Sequence, residues 1–252
     1  KGEVFTPFGA TEALPLTLIA GKEILGETAD LSKKGAGMCV GEPLSGIDIR
    51  IIKISDDPIA EWEDALELSQ GLLGEIAVKG PVVTREYLHR PVQTAGAKIR
   101  EGDQVWHRMG DVGYIDEQGR LWFCGRKAHI VETDAGVLYP VQVEALFNQI
   151  PDVPRTALVG RELSGRKTAV LVVEAQEKIN HDTRIRIRDN AFEIIENNGL
   201  SESIHEVLFL SEFPVDTRHN AKIKREVIGD WVRGYSGFGS LKALLAGVWL
   251  TK

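Results

Sequence analysis

The predicted secondary structure changes character once along the chain, and this change constrains the fold more than any other feature. Up to Gly125, strand-like stretches such as GIDIRIIKI and GEIAVKG are separated by Gly and Pro. There, VWHRMGDVGYI and RLWFCGR flank the turn DEQG, which is typical of a β-hairpin. After Arg126, strand-like and amphipathic segments alternate, as in KTAVLVVEA and RDNAFEIIENNG. The sequence therefore predicts an α/β (α+β) chain, in which a barrel-like β-subdomain precedes a small α+β domain.

The boundary between the two regions is predicted at residues 125–128. We expect one domain at residues 1–125, a second at 126–233, and a tail at 234–252 whose apolar end docks elsewhere. In the first domain, PIAEWEDALELSQG has apolar residues near helical spacing and predicts a short surface helix. In the second, VQVEALFNQIP and IKREVIGDWVRG predict helices, whereas RTALVGREL and HEVLFLSEF predict strands. Lys222 is expected in a polar loop before the last helix.

Composition argues against several classes of function. A net charge of −7 disfavours a general nucleic-acid binder, because phosphate neutralisation supplies most of that affinity, and the basic run RIRIR is expected to be a solvated face. The two cysteines have no metal-ligand spacing and the six histidines form no HExxH, so no zinc site is expected. No apolar run approaches the roughly 20 residues that span a bilayer. Reduced thiols suit a cytoplasmic protein.

The stretch FGATE, Phe8 to Glu12, combines an aromatic ring, a glycine, a hydroxyl and a carboxylate. An aromatic face can stack on a base, and Thr11 can donate to a phosphate oxygen. Glu12 can bind Mg²⁺, which prefers carboxylate and phosphate oxygens. A plain turn before a helix would explain the same residues. The stretch alone leaves a nucleotide site and a simple turn both open.

Three later positions carry further polar chemistry. Asp111, in HRMGDVGYID, could accept hydrogen bonds from both hydroxyls of a ribose, or could satisfy its own Gly-Asp turn. Arg126, in GRKAHIV, could assist on that ribose or form an interdomain ion pair. Lys222 lies in FPVDTRHNAKIKRE, and a lysine on such a loop is usually solvated. It would reach a phosphate only if a mobile domain carried it there. None of these residues decides the function alone.

The order of these stretches is more specific than any one of them. FGATE, GEIAVKGPVVTREYLHRP, HRMGDVGYID, GRKAHIV and NAKIKR follow one another between Thr6 and Trp231. This order resembles the adenylate-forming superfamily of acyl-CoA ligases, luciferases and peptide-synthetase adenylation domains. The motifs of that family read Tyr-Gly-x-Thr-Glu, Gly-Glu-(Leu/Ile)…Gly…Tyr…Pro, Thr-Gly-Asp, Gly-Arg and Gly-Lys-Ile. Because the first motif lies in mid-chain there, we expect a larger N-terminal part upstream, so that this chain is the C-terminal half.

The resemblance implies a nucleotide site in the first domain. Phe8, where the family often has Tyr, would stack on adenine in a turn that includes Gly9. Thr11 would contact the α-phosphate of ATP, and Glu12 would bind Mg²⁺. Further along the chain, Asp111 would hold both ribose hydroxyls.

The remaining implied roles concern the domain junction and the second domain. Arg126 would assist Asp111 on the ribose, and Ala128 would occupy the hinge position. Lys222 would match the lysine that swings in with the small domain for adenylation. These roles follow from the resemblance alone.

Several residues depart from the usual motifs. Ala128 stands where the family commonly has Asp or Lys, Met109 replaces the Thr before Gly-Asp, and TRHNAK replaces Thr-x-Ser-Gly-Lys. With VVTREYLHRP, GRKAHIV and FPVDTRHNAKI, these choices are similar to one branch, the olefin-biosynthesis β-lactone synthetases. That branch resembles acyl-CoA ligases but is understood to use no CoA.

The resemblance thus implies ATP- and Mg²⁺-dependent activation of a long-chain β-hydroxy fatty acid, followed by closure to a β-lactone. The alternative is an acyl-CoA ligase that takes a plain fatty acid and CoA, with TDAGVLYP and its Gly136 bordering the thiol tunnel. A third reading is an inactive paralogue or fragment that only binds nucleotide or a partner. No general base is identified, since His129 and His219 are expected to be structural. The resemblance is compatible with assembly with other enzymes of an olefin pathway.

Overall fold

The structure is a computed structural model that describes residues 2–64, 67–175, 179–216 and 219–235. The chain divides into two compact units, Lys1–Ala128 and His129–Lys252. The predicted docking of the tail falls on positions from 236 onward, which lie outside the described residues.

The described residues of the first unit form eight strands and three short α-helices. The strands are β1 (Phe5–Ala10), β2 (Ala13–Ala20), β3 (Met38–Pro43), β4 (Asp48–Ile52), β5 (Gly74–Lys79), β6 (Lys98–Glu101), β7 (Gln104–Ile115) and β8 (Leu121–Arg126). The helices are α1 (Gly21–Glu23), α2 (Ala29–Lys33), with a π-helical segment at Ile24–Thr28 between them, and α3 (Pro91–Ala97). The strands form one antiparallel sheet in the order β1-β2-β3-β8-β7-β5-β4, and β6 pairs with β7. Its core contains Leu16, Ile49, Ile76 and Leu121.

The predicted hairpin between β7 and β8 is confirmed, and Asp116 explains its turn. Asp116 Oδ1 accepts hydrogen bonds from the backbone N–H groups of Gln118 (3.0 Å) and Arg120 (2.9 Å). Its other oxygen accepts from Trp122 Nε1 at 2.8 Å. Gly119 has a φ of +82°, a left-handed conformation that glycine adopts without steric cost. The turn therefore fixes the register of β7 and β8, in which Asp111 lies opposite Arg126.

The predicted surface helix at residues 58–71 is wrong. The described residues of this segment contain one 3₁₀ turn, Trp62–Asp64, and isolated bridges from Glu61 to Arg100 and from Glu67 to Ile52. Trp62 stacks on Trp106 with a ring-centroid distance of 4.1 Å. Packing against the sheet thus overrides the local helical pattern, as tertiary contacts commonly do.

The second unit alternates strands and helices as predicted. Its strands are β9 (Val131–Thr133), β10 (Gly136–Leu138), β11 (Thr156–Leu163), β12 (Arg166–Glu174), β13 (Ile204–Leu210), β14 (Val215–Asp216) and β15 (His219–Ile223). Its helices are α4 (Pro140–Phe147), α5 (His181–Asn197) and α6 (Arg225–Gly234). The main sheet has the order β11-β12-β13. Because β12 and β13 run parallel, they need a crossover connection, which α5 supplies.

Both faces of this three-stranded sheet are buried. Leu158 and Leu171 belong to a core that includes Phe147 of α4 and Ile187 of α5. The alternate residues of the same strands, among them Val170, pack on the opposite face with α6. Strands with two buried faces read as continuous apolar runs, which explains sequences such as AVLVV.

The basic run RIRIR lies inside α5, which begins earlier than predicted. Asn180 caps the helix, since its side chain accepts a hydrogen bond from Thr183 N at 2.8 Å. Arg184 and Arg188 lie 6.0 and 5.5 Å from the centre of the Phe209 ring, so the run is only partly a solvated face. Among the helices of the described ranges, none is both long enough and apolar enough to cross a bilayer.

Candidate functional site

FGATE forms the connection of the β1–β2 hairpin, not a turn before a helix. Phe8 pairs with Thr17 and Ala10 with Ala13, and the register shifts between Phe8 and Ala10. A Cβ at Gly9 would lie 2.4 Å from the carbonyl oxygen of Ala13, so only glycine fits this close approach. The hairpin thereby presents residues 11 and 12 at its tip.

The two residues expected at the base and the α-phosphate lie on this hairpin. The Phe8 ring is partly buried against the core, with its centroid 5.9 Å from that of Phe123. Thr11 is exposed at the tip. An aromatic ring packed on one side and a free-standing hydroxyl can serve a nucleotide, but neither residue has a feature that requires one.

Glu12 is held from both its backbone and its side chain. Its carbonyl oxygen accepts from Thr84 N at 2.8 Å, and its Oε1 accepts from the Tyr87 hydroxyl at 3.0 Å. Burial would raise the pKa of Glu12, but its own backbone N–H, the Tyr87 hydroxyl and the charges of His107 and Lys98 lower it overall. Glu12 is therefore a charged carboxylate that keeps Oε2 outside the Tyr87 bond.

Tyr87, Lys98 and His107 belong to the surroundings of Glu12 and were missed in the sequence analysis. Lys98 and His107 are direct partners on β6 and β7. Burial lowers the pKa of Lys98 to about 8, and it lowers that of His107, with the help of the Lys98 charge, to about 4. The available sequence signal was a lysine and a histidine at positions where the alternation of the strands predicts burial. Buried polar and charged groups need partners, so these two residues pointed to a polar site.

Asp111 and Arg126 face each other across the β7–β8 hairpin, as direct register partners. Arg126 Nη1 lies 3.1 Å from Asp111 Oδ1, but this ion pair lacks hydrogen-bond geometry. Asp111 Oδ1 is buried and accepts no hydrogen bond from the described residues. Burial raises the pKa of Asp111 to about 6, against the lowering effect of Arg126 and with a contribution from Glu75. A buried carboxylate oxygen without a donor is rare in proteins and marks Asp111 as a candidate ligand site.

A second buried carboxylate beside Asp111 is fully partnered. Glu75 and Arg108, on paired strands β5 and β7, form an ion pair in which both side chains are 2% exposed. Arg108 Nη2 and Nε lie 2.6 and 3.2 Å from Glu75 Oε2, and Nη1 donates to the carbonyls of Asp57 (2.8 Å) and Gly96 (3.3 Å). Lys127 Nζ is 3.7 Å from the same Oε2. Sequence analysis missed these residues, although charges inside GEIAVKG and VWHRM signalled buried partners.

Lys222 lies in the second unit and in a strand, not in the predicted loop. It belongs to β15, which pairs with β14, and its side chain is exposed. The polar composition of HNAKI gives no strand pattern, and its pairing partner β14 is only two residues long. The sequence therefore offered no signal for this strand. Ala128 is the last residue of the first unit and is exposed. His129 has an interaction partner, and the side chain of His219 lies outside the described residues.

The Glu12 carboxylate is the group of this site that could hold a magnesium ion shared with a nucleotide. No group of three or more His, Cys, Asp or Glu in the described ranges is arranged to hold a metal by itself. Mg²⁺ is commonly bound through one or two carboxylates, with waters and substrate phosphates completing its shell. A single charged carboxylate at an accessible hairpin tip therefore suits Mg²⁺ bound together with ATP, and does not suit a protein-only metal centre.

Comparison with known sequences identifies relatives of the chain, although no family model matches it. Olefin beta-lactone synthetases of Stenotrophomonas maltophilia and Xanthomonas campestris are 45% and 44% identical to it over 91% of its length. A 2-succinylbenzoate–CoA ligase of Geobacillus kaustophilus is 34% identical over 63% of it. The chain spans 42% of the length of the two synthetases and 28% of that of the ligase.

Solved structures share the fold. The amide bond synthetase McbA from Marinactinospora thermotolerans matches 91% of the chain with a TM-score of 0.71 and 22% identity, over 41% of its own length. The o-succinylbenzoate CoA synthetase of Bacillus subtilis, in complex with an acyl-adenylate intermediate, matches 89% with a TM-score of 0.68 and 20% identity, over 40% of its length. The resemblance to the adenylate-forming superfamily that the motifs predicted is confirmed by these sequence relatives. Within that superfamily, the sequence resemblance to the olefin β-lactone synthetase branch is also confirmed.

Proposed function

We propose that the chain supplies the nucleotide-handling part of an enzyme that activates a carboxylate with ATP, forming an acyl-adenylate and releasing pyrophosphate. The observation that carries the proposal is Asp111 Oδ1, which is buried and without a hydrogen-bond donor among the described residues. A ribose offers two hydroxyl donors, and Arg126, 3.1 Å away, favours the charged acceptor. The similarity to olefin beta-lactone synthetases supports the same reaction class.

The hairpin that carries FGATE would bind the rest of the nucleotide. In this proposal Phe8 stacks on adenine, Gly9 allows the tight connection, and Thr11 donates to the α-phosphate. Glu12 would hold Mg²⁺, which neutralises charge that builds on the phosphate oxygens. All four residues lie within the first unit, on one hairpin.

Lys222 is proposed to stabilise the transition state of adenylation from the second unit, with the chain around Ala128 as the hinge. Its ammonium group is exposed and would contact the phosphate once movement about the hinge carries it there. Loss of one such stabilising donor typically costs on the order of 10²–10³ in rate. Lys222→Ala in the complete enzyme should slow ATP–pyrophosphate exchange by about this factor and leave ATP affinity largely intact. Lys224→Ala, two residues further on, is the matched control, and a normal exchange rate in Lys222→Ala would refute this role.

The proposed second step is closure of a β-lactone. The β-hydroxyl oxygen of a long-chain β-hydroxy acyl group attacks the activated carbonyl, its proton leaves, and AMP departs. Tethering of the nucleophile to the substrate replaces much of the entropy cost of a bimolecular attack, and AMP is a good leaving group. In the alternative, the thiol of CoA attacks a plain fatty acyl-adenylate. The 34% identity to a 2-succinylbenzoate–CoA ligase supports the use of CoA in this alternative, but not a fatty acyl substrate.

The test uses the complete enzyme with ATP, Mg²⁺ and a long-chain β-hydroxy acid, with and without CoA, and follows AMP and the acyl product. AMP and a β-lactone without CoA are expected. AMP only in the presence of CoA, with a thioester as product, would establish the ligase reaction instead. Absence of AMP in both cases would indicate an inactive paralogue. A cytoplasmic location and assembly with other enzymes of an olefin pathway are further proposals, to be tested by fractionation and co-purification.

A further inference from the structure

The Tyr87 hydroxyl is the one side-chain donor recorded on Glu12 within the described residues, and it comes from a distant part of the chain. Its 3.0 Å bond to Glu12 Oε1 joins residues 75 positions apart. Tyr87 is partly buried, so the bond is sheltered from water. The bond fixes one carboxylate oxygen and leaves Oε2 outside it.

Tyr87 is itself held in place by two contacts. Its backbone N–H donates to Thr94 Oγ1, within α3, at 3.1 Å. Lys98 Nζ lies 5.8 Å from the centre of its ring, and the same Nζ donates to Thr84 O at 2.5 Å and to Thr84 Oγ1 at 3.1 Å. The ring therefore has little freedom to leave Glu12.

The loop that carries Tyr87 is also tied to the backbone of the hairpin tip. Thr84 N donates to the Glu12 carbonyl at 2.8 Å, and Val83 forms an isolated bridge with Ala13. Three segments that are remote in sequence thus converge on one carboxylate: the hairpin tip, the loop at residues 83–87, and β6 with Lys98. A side chain at an exposed hairpin tip would otherwise sample several rotamers.

We propose that Tyr87 is a positioning residue for Glu12, which holds Oε1 so that Oε2 faces the metal–nucleotide complex. The proposal rests on the proposed role of Glu12 in binding Mg²⁺ with ATP. Partners that orient a metal ligand typically contribute about 10- to 100-fold to metal affinity or activity. Loss of the hydroxyl should therefore weaken binding of the metal-bound nucleotide and leave the metal-free nucleotide unaffected.

The experiment compares Tyr87→Phe with Tyr114→Phe in the complete enzyme. Tyr114 is a suitable control because its hydroxyl also donates a 3.0 Å hydrogen bond, but to the carbonyl of Ala36. The probe is Mn²⁺ with α,β-methylene-ATP, which cannot release pyrophosphate, and its affinity is measured by calorimetric titration with and without the metal. We expect Tyr87→Phe to weaken the metal-dependent binding about 10- to 100-fold. Tyr114→Phe should have no effect.

Metal-free binding reports whether each variant is folded, since it uses the same nucleotide site without Glu12. Equal losses in the presence and absence of metal would show that Tyr87 is only structural and would overturn the inference. Wild-type affinity for the metal-bound nucleotide in Tyr87→Phe would overturn it as well.

Glu12→Gln separates this inference from the proposed function. If Glu12→Gln keeps the metal-dependent affinity, the metal role of Glu12 itself is refuted. If Glu12→Gln loses it and Tyr87→Phe does not, only the positioning role fails. In the double variant, Tyr87→Phe should add no further loss, because it acts through Glu12, and multiplied losses would mean that it acts independently.

Discussion

The two buried carboxylate–arginine pairs of the first unit lie side by side and differ in how completely they are satisfied. Glu75 and Arg108 are both buried, and the guanidinium also donates to backbone carbonyls of two other segments. Asp111 is equally buried, but its partner Arg126 is 48% exposed, and Oδ1 receives no hydrogen bond from the described residues. A complete polar network stabilises a fold, whereas an incomplete one is retained at a cost in stability.

The difference suggests what each pair is for. Glu75–Arg108 connects the sheet to the segment around Asp57, and nothing in its geometry calls for a ligand. Asp111 Oδ1 has no hydrogen-bond donor among the residues that the structure describes, and a ligand with vicinal hydroxyls would supply one. Binding sites often lower the stability of a protein, because some of their polar groups are satisfied only when the ligand is bound.

The largest effect is expected when the complete pair is broken. Arg108→Met removes the guanidinium and leaves Glu75 buried without its main partner, which typically costs about 3–5 kcal/mol of the free energy of unfolding. Urea unfolding followed by tryptophan fluorescence measures this, since Trp106 lies in the same strand. Arg126→Met, which removes an exposed partner, is the matched control and should cost much less. A loss below about 1 kcal/mol in Arg108→Met would contradict the structural role, and would point to compensation by Lys127.

The incomplete pair should show itself in the pH dependence of stability. The pKa of Asp111 is raised to about 6 in the folded protein, above its usual 3.8, so folding favours the protonated carboxyl. Its contribution to stability is present below about pH 4 and is lost as the pH rises through about 6, by up to roughly 3 kcal/mol. Asp111→Asn does not titrate and removes the contribution of this group alone. The gap in unfolding free energy between Asp111→Asn and the wild type should therefore open in favour of the variant between about pH 4 and pH 7.

A gap that stays constant across this range would mean that Asp111 is not perturbed, and the contrast with Glu75–Arg108 would collapse. Because other carboxylates titrate in the same window, only the difference between the two proteins is informative. Both curves must be measured without nucleotide, since a bound ribose would supply the missing donors.

The elements that could be predicted are those whose signals are local. The β7–β8 hairpin follows from alternation and from the Asp116 and Gly119 turn, and β11 to β13 follow from apolar runs. The sequence could not show that the segment around Trp62 is not an α-helix, because Trp62 stacks on Trp106, which lies far away in sequence. The strand that contains Lys222 depends in the same way on pairing with β14.

The candidate site also has features that the sequence predicts and features that only the fold reveals. Motif order singled out Phe8, Glu12, Asp111 and Lys222 as candidates, and their roles stay predictions. The sequence could not show that Asp111 faces Arg126 with an unsatisfied oxygen, because that depends on hairpin register and burial. Nor could it show that Tyr87 reaches Glu12, since the two residues meet only through the tertiary fold. Local chemistry can be read from the chain, but the state of each group depends on its neighbours in space.

The smallest expected effect is a change in the affinity for nucleotide. It tests whether the incomplete Asp111–Arg126 pair, unlike the Glu75–Arg108 pair, takes part in binding. Asp111→Asn keeps the size of the side chain but replaces a charged acceptor, and hydrogen bonds to charged groups contribute about 1.5–3 kcal/mol. ATP binding in the complete enzyme should weaken about 10- to 100-fold, as measured by calorimetric titration, although the variant is expected to be at least as stable at about pH 7. Glu75→Gln is the control, which should lose stability and keep most of its affinity when folded. A more stable protein with weaker binding would show that Asp111 is kept for the ligand, whereas unchanged affinity would make its unpaired oxygen a feature of the fold alone.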